Sequence, residues 1–200
     1  AWLVGTFGLI AASVAVRVED ESGQISRLSN VVMGVPAPVE PEPEPETGVR
    51  FDFEGDVSGW EAGGLFHLST RWAVSPTHSF WMGSEASGNY ATGGRVTADL
   101  TSPLLDLTGL SRPVLRWEQK LVAEPGATND KAWVEIAGSG DNFDTWTEVW
   151  RRPATLSGAR ETIEIDLSGW AGQHIHVFFM FDSVDGVDND FEGWFIDDVR

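Results

Sequence analysis

The sequence predicts an all-β fold for most of its length: a two-sheet antiparallel jelly-roll sandwich. Short apolar stretches recur between turn residues such as Gly, Pro, Asn and Asp, which is typical of a sandwich. The 10 Trp and 11 Phe supply the large apolar areas that suit sheets packed face to face. Long runs with a helical period are absent, so a helical fold is not expected.

The apolar stretches predict about ten strands in residues 50–200. They cover residues 50–54, 65–69, 79–83, 95–102, 113–122, 131–137, 146–151, 160–166, 173–182 and 193–199. The stretch 173–182 (QHIHVFFMFD) is almost continuously apolar, which predicts a central, buried strand.

Two turns in this region resemble each other. Residues 105–109 (LDLTG) and 165–169 (IDLSG) each come before a long predicted strand. Asp, Ser and Thr side chains bond nearby backbone, and Gly accepts positive φ, so both segments read as turns. They predict two equivalent corners of a double-sheet fold.

The chain divides into three zones. In residues 1–35, a β-branched strand at 14–18, a polar turn and a second strand at 25–32 predict a β-hairpin remnant. Residues 36–49 alternate Pro with Glu, which predicts an extended, semi-rigid linker. Residues 50–200 form the main domain.

The first zone carries a family resemblance. Its segment VRVEDESGQISRLSNVV resembles the last two strands of a fibronectin type III domain, which often read D-x-x-G-x-x-S and then L-S-N-V-V. The resemblance implies that residues 1–35 are the C-terminal fragment of such a domain.

The main domain resembles another family. Residues 51–60 (FDFEGDVSGW), 79–83 (SFWMG), 101–107 (TSPLLDL), 130–134 (DKAWV) and 193–199 (GWFIDDV) follow, in order, the pattern of MAM domains and their bacterial relatives. Those relatives are accessory jelly rolls of secreted peptidases of the immune-inhibitor-A type. Eukaryotic MAM domains carry disulfides and this chain has no Cys, which favours the bacterial branch.

Charge and cysteine content restrict the partners. The net charge of −18 repels phosphate backbones and anionic lipids, so nucleic-acid binding and membrane docking are not expected. Without Cys, neither disulfides nor thiolate metal sites can form. A hard cation held by carboxylates could cross-link the fold instead.

The sequence predicts such a cation site near the domain ends. The two acids in 51–54 alternate with phenylalanines, so both acidic side chains would project from one face of the first predicted strand. The first and last strands of a jelly roll often lie close together, which would bring these acids near those of the last strand. We therefore expect a structural Ca²⁺ ion, with turn bonds or pairing to Arg50 or Arg200 as the alternative. The residues predicted to supply its ligands are Glu54, Asp56, Asp197 and Asp198.

Two other groups are weaker metal candidates. The acids of 182–190 lack the EF-hand spacing, so a solvated turn is favoured over a cation loop. His174 and His176 share one strand face, but no third zinc ligand is indicated.

Catalysis is not expected. Glu161, Glu164 and Asp166 approach a strand pattern of concanavalin-like glycosidases, but Gly169 stands where the last acid is needed. No nucleophile elbow, H-E-x-x-H motif or Gly-rich phosphate loop occurs.

The tryptophans leave the function open. Their rings either pack in the core or stack on sugars; those concerned are Trp60, Trp72, Trp81, Trp133, Trp146, Trp150 and Trp170. The main hypothesis, which follows from the MAM resemblance, is a non-catalytic accessory module of a secreted, multi-domain protein, a peptidase or adhesin, that binds a protein or surface or acts as a spacer. The alternative is a carbohydrate-binding module with a polysaccharide ligand; a glycosidase is third.

Overall fold

The computed structural model describes residues 12–14, 21–24, 32–34, 48–126 and 128–200. The chain divides into two compact units, Ala1–Thr47 and Gly48–Arg200.

In the first unit, β1 (Ala12–Val14) pairs in antiparallel fashion with β2 (Val32–Gly34). This is the pairing expected of the predicted hairpin. The other residues of its two predicted strands, 15–18 and 25–31, lie outside the described residues. The relation to fibronectin type III stays a prediction.

The second unit is a sandwich of two antiparallel sheets. The six-stranded sheet contains β3 (Glu61–Gly63), β6 (Thr97–Thr101), β7 (Leu105–Asp106), β9 (Lys131–Gly138), β10 (Trp146–Arg151) and β12 (His174–Asp182). Their order is β10-β9-β12-β6-β3, with β7 also beside β12. The five-stranded sheet contains β4 (Phe66–Ser69), β5 (Ser79–Met82), β8 (Val114–Val122), β11 (Arg160–Asp166) and β13 (Gly193–Asp197), in the order β11-β8-β13-β5-β4. The predicted all-β jelly-roll sandwich is confirmed.

Most predicted strands are present with bounds within a few residues, but the first one was wrong. Residues 50–54 form only a single bridge, in which Phe51 pairs with Val199. Phe53 has a φ of +57°, which an extended strand excludes, so the chain turns there. The short strands β3 and β7 were not predicted. Among the described residues, no helix is long and apolar enough to span a membrane.

The two predicted corners are confirmed. Asp106 Oδ1 accepts the backbone N–H of Thr108 at 2.8 Å, and Asp166 Oδ1 accepts that of Ser168 at 2.8 Å. The leucine between the two partners is buried in both cases. The shared sequence pattern therefore reflects the same turn bond and the same core anchor.

The core lies between the sheets and is rich in large rings. Trp117 of β8 and Trp194 of β13 both contact Phe179 of the opposite sheet edge-on, with ring centroids 5.5 and 5.8 Å apart. Edge-to-face contacts of this kind are favoured by the ring quadrupoles. Side chains of alternate strand residues fill the rest of this layer.

One polar side chain sits among these rings. Gln119 of β8 is 1 % exposed, and its Oε1 accepts the indole N–H groups of both Trp117 and Trp194 at 3.0 Å. Buried polar groups must be paired, so this single amide oxygen allows two tryptophans to lie side by side in the core.

Replacement of Gln119 by Leu keeps the volume but removes the shared acceptor. Each unpaired indole N–H costs about 1–3 kcal/mol, so we expect a loss of about 2–6 kcal/mol in the free energy of unfolding, measured by urea denaturation. The exposed control Glu164→Gln should change this value by about 0.5 kcal/mol at most. Equal stabilities of Gln119→Leu and the wild type would contradict the role given to Gln119.

Candidate functional site

The acids predicted to bind calcium lie in two different settings. Glu54 and Asp197 both face the loop 74–78 between β4 and β5. Glu54 Oε1 accepts the N–H groups of Thr77 and His78 at 2.7 and 2.6 Å and the Ser75 hydroxyl at 3.0 Å. Asp197 is buried, and its Oδ2 accepts the N–H groups of Val74 and Ser75 at 2.6 and 2.8 Å.

The other two acids are engaged elsewhere. Asp56 is exposed and accepts the N–H of Ser58 at 2.8 Å in a local turn. Asp198 Oδ1 accepts both Nε and an Nη of Arg50, at 3.2 and 2.7 Å. These are the turn bond and the arginine pair that the sequence offered as the alternative to calcium.

This arrangement does not fit one cation bound by all four acids. The oxygens of Glu54 and Asp197 face N–H and O–H donors, whose positive ends occupy the directions a cation needs. Among the described residues, no three His, Cys, Asp or Glu side chains form a group that could hold a metal. A calcium ion at Glu54, Asp56, Asp197 and Asp198 stays a prediction that the contacts do not support.

The loop 74–78 nevertheless has an electrostatic effect. Hydrogen bonds from the Thr77 hydroxyl, with further donors from His78 and the Thr77 backbone, hold the pKa of Glu54 far below its ordinary value. For Asp197, burial outweighs its three backbone donors and raises the pKa. The loop therefore ties two carboxylates, one before β3 and one in β13, to the same backbone.

The two other chemical candidates also resolve into structural roles. On β12, His174 Nε2 lies 3.7 Å from an Asp106 oxygen, and His176 Nδ1 lies 2.9 Å from the Ser102 carbonyl oxygen. On β11, burial alternates along the strand, so Glu161 lies on the opposite face from Glu164 and Asp166. Glu161 therefore cannot flank one glycosidic bond together with either of the other two acids. Asp166 Oδ1 accepts the N–H of Ser168 at 2.8 Å, which is the turn bond described above.

Most of the tryptophans singled out in the sequence are packing residues. Trp60 and Trp81 are buried, and Trp150 stacks against Trp194 inside the sandwich at 5.6 Å. Trp72 lies on Phe195 at 5.6 Å. Three of the seven remain for a surface role: Trp133, Trp146 and Trp170.

An exposed cluster of rings lies on the outer face of the six-stranded sheet. We call it the aromatic face and define it by Trp133, Trp146, His176, Phe178 and Met180. Trp146 is 49 % exposed and stacks on Phe178, with ring centroids 4.1 Å apart and an interplanar angle of 18°. Phe143 extends the cluster, since its ring centroid lies 5.6 Å from that of His176.

Strand register explains how Trp146 reaches Phe178. Trp146 of the edge strand β10 pairs with Ala137 of β9, which in turn pairs with His176 of β12. Ala137 belongs to the outward-facing set of β9, yet it is 0 % exposed. A small residue there lets the indole lie across β9 and onto β12.

Polar groups form a row across the same face. Phe178 pairs with Glu135 on one side and with Thr101 on the other. Beyond them, Glu135 pairs with Glu148 and Thr101 pairs with Glu61. Paired residues project to the same face, so the exposed rings are bordered by hydroxyl and carboxylate groups.

A guanidinium group also borders the rings. Arg151 lies 5.6 Å from the ring centroid of Trp133, and its Nε donates to Glu148 at 2.9 Å. The aromatic face therefore offers flat apolar surfaces, hydrogen-bond acceptors and a donor within one area.

The outer face of the five-stranded sheet shows the contrast. There Trp81 and Phe195 stack with centroids 5.3 Å apart and an angle of 3°, but both are buried. Arg71 lies 4.9 Å above the Trp81 ring, and Trp72 packs on Phe195. Of these two stacked pairs, only the one on the six-stranded sheet is exposed to solvent.

The sequence held a signal for this face. Strand 173–182 is central, as predicted, but only one of its faces is buried, because His174, His176, Phe178 and Met180 alternate outward and are partly exposed. The outer face of an antiparallel sandwich is normally polar, so Phe and Met at those positions mark an unusual surface.

A groove lies where β9 and β10 approach the segment before β12. Its volume is about 340 Å³, and it is lined by Gly138, Gly140, Asp141, Thr145, Thr147, Trp170 and Gln173.

Comparisons with known proteins add a likeness of fold. No family model and no curated protein sequence matches the chain. Among solved structures, the chain is similar to TmCBM61 in complex with β-1,4-galactotriose, with a TM-score of 0.47 and 15% identity over 73% of this chain and 89% of that one.

Two further structures are similar in the same way. The CBM22-1 xylan-binding domain of Xyn10C from Paenibacillus barcinonensis has a TM-score of 0.44 and 15% identity, over 76% of this chain and 90% of that one. The Endo-D glycoside hydrolase domain from Streptococcus pneumoniae R6 has a TM-score of 0.46 and 19% identity, over 70% of this chain but only 20% of that one.

The loop 74–78 makes the contribution of Glu54 depend on pH. The pKa of Glu54 in the folded state lies below its ordinary value of 4.5, so its stabilising effect is complete above that pH and is lost as the pH falls. We expect Glu54→Gln to lower the Tm near neutral pH, with the difference from the wild type shrinking as the pH falls below 4.5. Thermal melts followed by circular dichroism over this range test the expectation.

The exposed Glu164→Gln serves as the matched control and should show only a small Tm difference at every pH. If the Glu54→Gln difference stays constant with pH, Glu54 acts through packing and not through its charge.

Proposed function

We propose that residues 48–200 form a carbohydrate-binding module whose ligand site is the aromatic face. The observation that carries the proposal is the exposed stack of Trp146 on Phe178, bordered by acceptors and a donor. Of the two leading hypotheses from the sequence, this observation favours the carbohydrate-binding alternative over a purely protein-binding or spacer role.

The chemistry of the face matches that of a sugar chain. A pyranose ring has an apolar face of C–H groups that packs on an aromatic ring, and hydroxyls around its edge that need hydrogen-bond partners. Trp146 supplies the flat surface, while Glu135, Thr101 and Arg151 lie where edge hydroxyls would find acceptors and donors. Because Phe178 already holds the indole in place, little side-chain entropy is lost on binding.

Charge restricts the class of ligand further. Glu61, Glu135 and Glu148 border the face, and the whole chain carries a net charge of −18. Acidic polysaccharides would be repelled, so the ligand class is a neutral polysaccharide.

The wider setting belongs to the same proposal. The module is non-catalytic and part of a secreted, multi-domain protein, with a fibronectin-like fragment at 1–35, a linker at 36–49 and a MAM-like jelly roll at 50–200. In such a protein it would hold its neighbouring domains near a polysaccharide surface. The resemblances noted in the sequence support this setting.

The direct test is binding to a panel of soluble polysaccharides by gel affinity electrophoresis and calorimetry. We expect at least one neutral member, among xylan, β-mannan and β-1,4-galactan, to retard the protein, and an acidic member such as polygalacturonate to leave it unaffected. Trp146→Ala should weaken the binding by about tenfold or more, as loss of a central aromatic anchor does.

Trp146→Phe, which keeps a ring on Phe178, should retain part of the affinity. Val114→Ala removes an exposed apolar side chain on the five-stranded sheet and should bind as the wild type does. Absence of binding to every neutral polysaccharide, or full affinity in Trp146→Ala, would refute the proposal.

A further inference from the structure

A buried carboxylate with a free oxygen lies just beyond the ends of β9 and β12. The pairing of β9 with β12 stops at Lys131, the first residue of β9, and Asp182, the last residue of β12. Asp130 directly precedes β9 and Ser183 directly follows β12, and both are buried. Asp130 is 1 % exposed. Its Oδ2 accepts the Tyr90 hydroxyl and, at 2.8 Å, the N–H of Glu124, whereas its Oδ1 is buried without any hydrogen-bond partner.

A second unpartnered oxygen lies at the same end of the sandwich. Asn189 is 4 % exposed, and its Nδ2 donates to Ser183 Oγ at 3.3 Å, to the Asp185 carbonyl at 3.1 Å and to the Gly94 carbonyl at 3.2 Å. A flipped amide would turn its oxygen toward those oxygens, so the orientation is fixed. Asn189 Oδ1 is therefore a buried acceptor, and it has no partner.

The surroundings are strongly acidic. Glu124 lies next to Asp130, because its backbone N–H donates to Asp130 Oδ2 at 2.8 Å, and carboxylates of the segment 182–190 lie near enough to repel these two acids. Asp185 acts on both groups, and Asp188 acts on Glu124. Carboxylates brought together in this way call for a positive charge between them.

The nearby arginine does not complete the site. Arg152 is buried, but its guanidinium donates to backbone carbonyls: those of Glu124 at 3.0 and 3.1 Å, Gly126 at 3.1 Å and Pro153 at 3.3 Å. It lowers the local negative potential without bonding to either unpartnered oxygen. Native proteins rarely leave buried oxygens such as these unsatisfied, and an ion is one of the usual reasons.

We propose that this end of the sandwich binds one Ca²⁺ ion, with the Oδ1 atoms of Asp130 and Asn189 as its buried ligands. Glu124 and the exposed Asp185 border the site and act on the ion through water molecules, which complete the about six to eight oxygens that Ca²⁺ takes. Among the described residues no three His, Cys, Asp or Glu side chains are arranged to hold a metal, so the amide oxygen of Asn189 is essential to the site.

This site differs from the one expected from sequence at Glu54, Asp56, Asp197 and Asp198. There the carboxylate oxygens of Glu54 and Asp197 already accept N–H and O–H donors, whereas here two buried oxygens accept none. The acidic segment 182–190 contributes mainly through its one buried amide, and its exposed acids only border the ion.

The test is calorimetric titration of CaCl₂ into the chelator-treated 200-residue chain, together with thermal melts with and without Ca²⁺. We expect one ion per chain and a higher Tm with Ca²⁺, because a ligand that binds the folded state stabilises it. Asp130→Asn and Asn189→Ala should each weaken Ca²⁺ binding by about tenfold or more, since even partners behind the ligands have effects of that size.

An exposed variant keeps the test informative if those buried variants fold poorly. In Asp185→Asn, the amide oxygen can still accept the N–H of Val187, a 2.8 Å bond in the wild type, while the charge is lost. We expect weaker Ca²⁺ binding with an unchanged Tm in chelator. Asp56→Asn, which removes an exposed acid of the other group, should keep wild-type affinity.

Two results would overturn the proposal. One is the absence of both a binding heat and a Tm change with Ca²⁺, which would leave water as the partner of the two oxygens. The other is binding that is lost in Glu54→Gln but unaffected in Asp185→Asn, which would place the ion beside the loop 74–78.

Discussion

The domain depends on a single buried amide that lets two tryptophans occupy the centre of the sandwich. Gln119 of β8 accepts the indole N–H groups of Trp117 on its own strand and of Trp194 on the neighbouring strand β13. Both indoles then contact Phe179 of the opposite sheet. A shift of one residue between β8 and β13 would separate the amide from Trp194 and turn one strand's side chains to the wrong face. The hydrogen bonds therefore fix the register of the five-stranded sheet and, through Phe179, the way the other sheet packs on it.

With the core set in this way, the outer faces of the two sheets are free to differ. Both carry a stacked ring pair, but Trp81 and Phe195 are covered by Trp72 and a guanidinium, while Trp146 remains largely exposed. The covered pair contributes to stability as core residues do. The open pair leaves apolar surface in water, a cost that a ligand can remove. The same side-chain chemistry thus serves packing on one face and, in the proposed function, recognition on the other.

The strands were predictable because turn residues mark their ends and alternation marks their faces. The prediction of a strand at 50–54 was wrong because the residues alternate as in a strand, whereas Phe53 has a left-handed backbone and its ring packs edge-on against Trp60 and Phe80. The aromatic face could be predicted only in part, since the sequence does not show which rings the loops cover. The unpartnered oxygens of Asp130 and Asn189 were not predictable from the sequence, because an unsatisfied oxygen is defined by what surrounds it.

The single bridge between Phe51 and Val199 has a mechanical consequence. It joins the start of the Gly48–Arg200 unit to its end through two hydrogen bonds of 2.8 and 3.1 Å, and Arg200 is paired in turn with Arg116. Because this pairing is antiparallel, a pull on the two ends would load these bonds one after another, as in opening a zipper. The unit would therefore yield first at its own ends under tension, while the rings on the six-stranded sheet, far along the chain from that seam, would keep their arrangement until the sandwich itself opened.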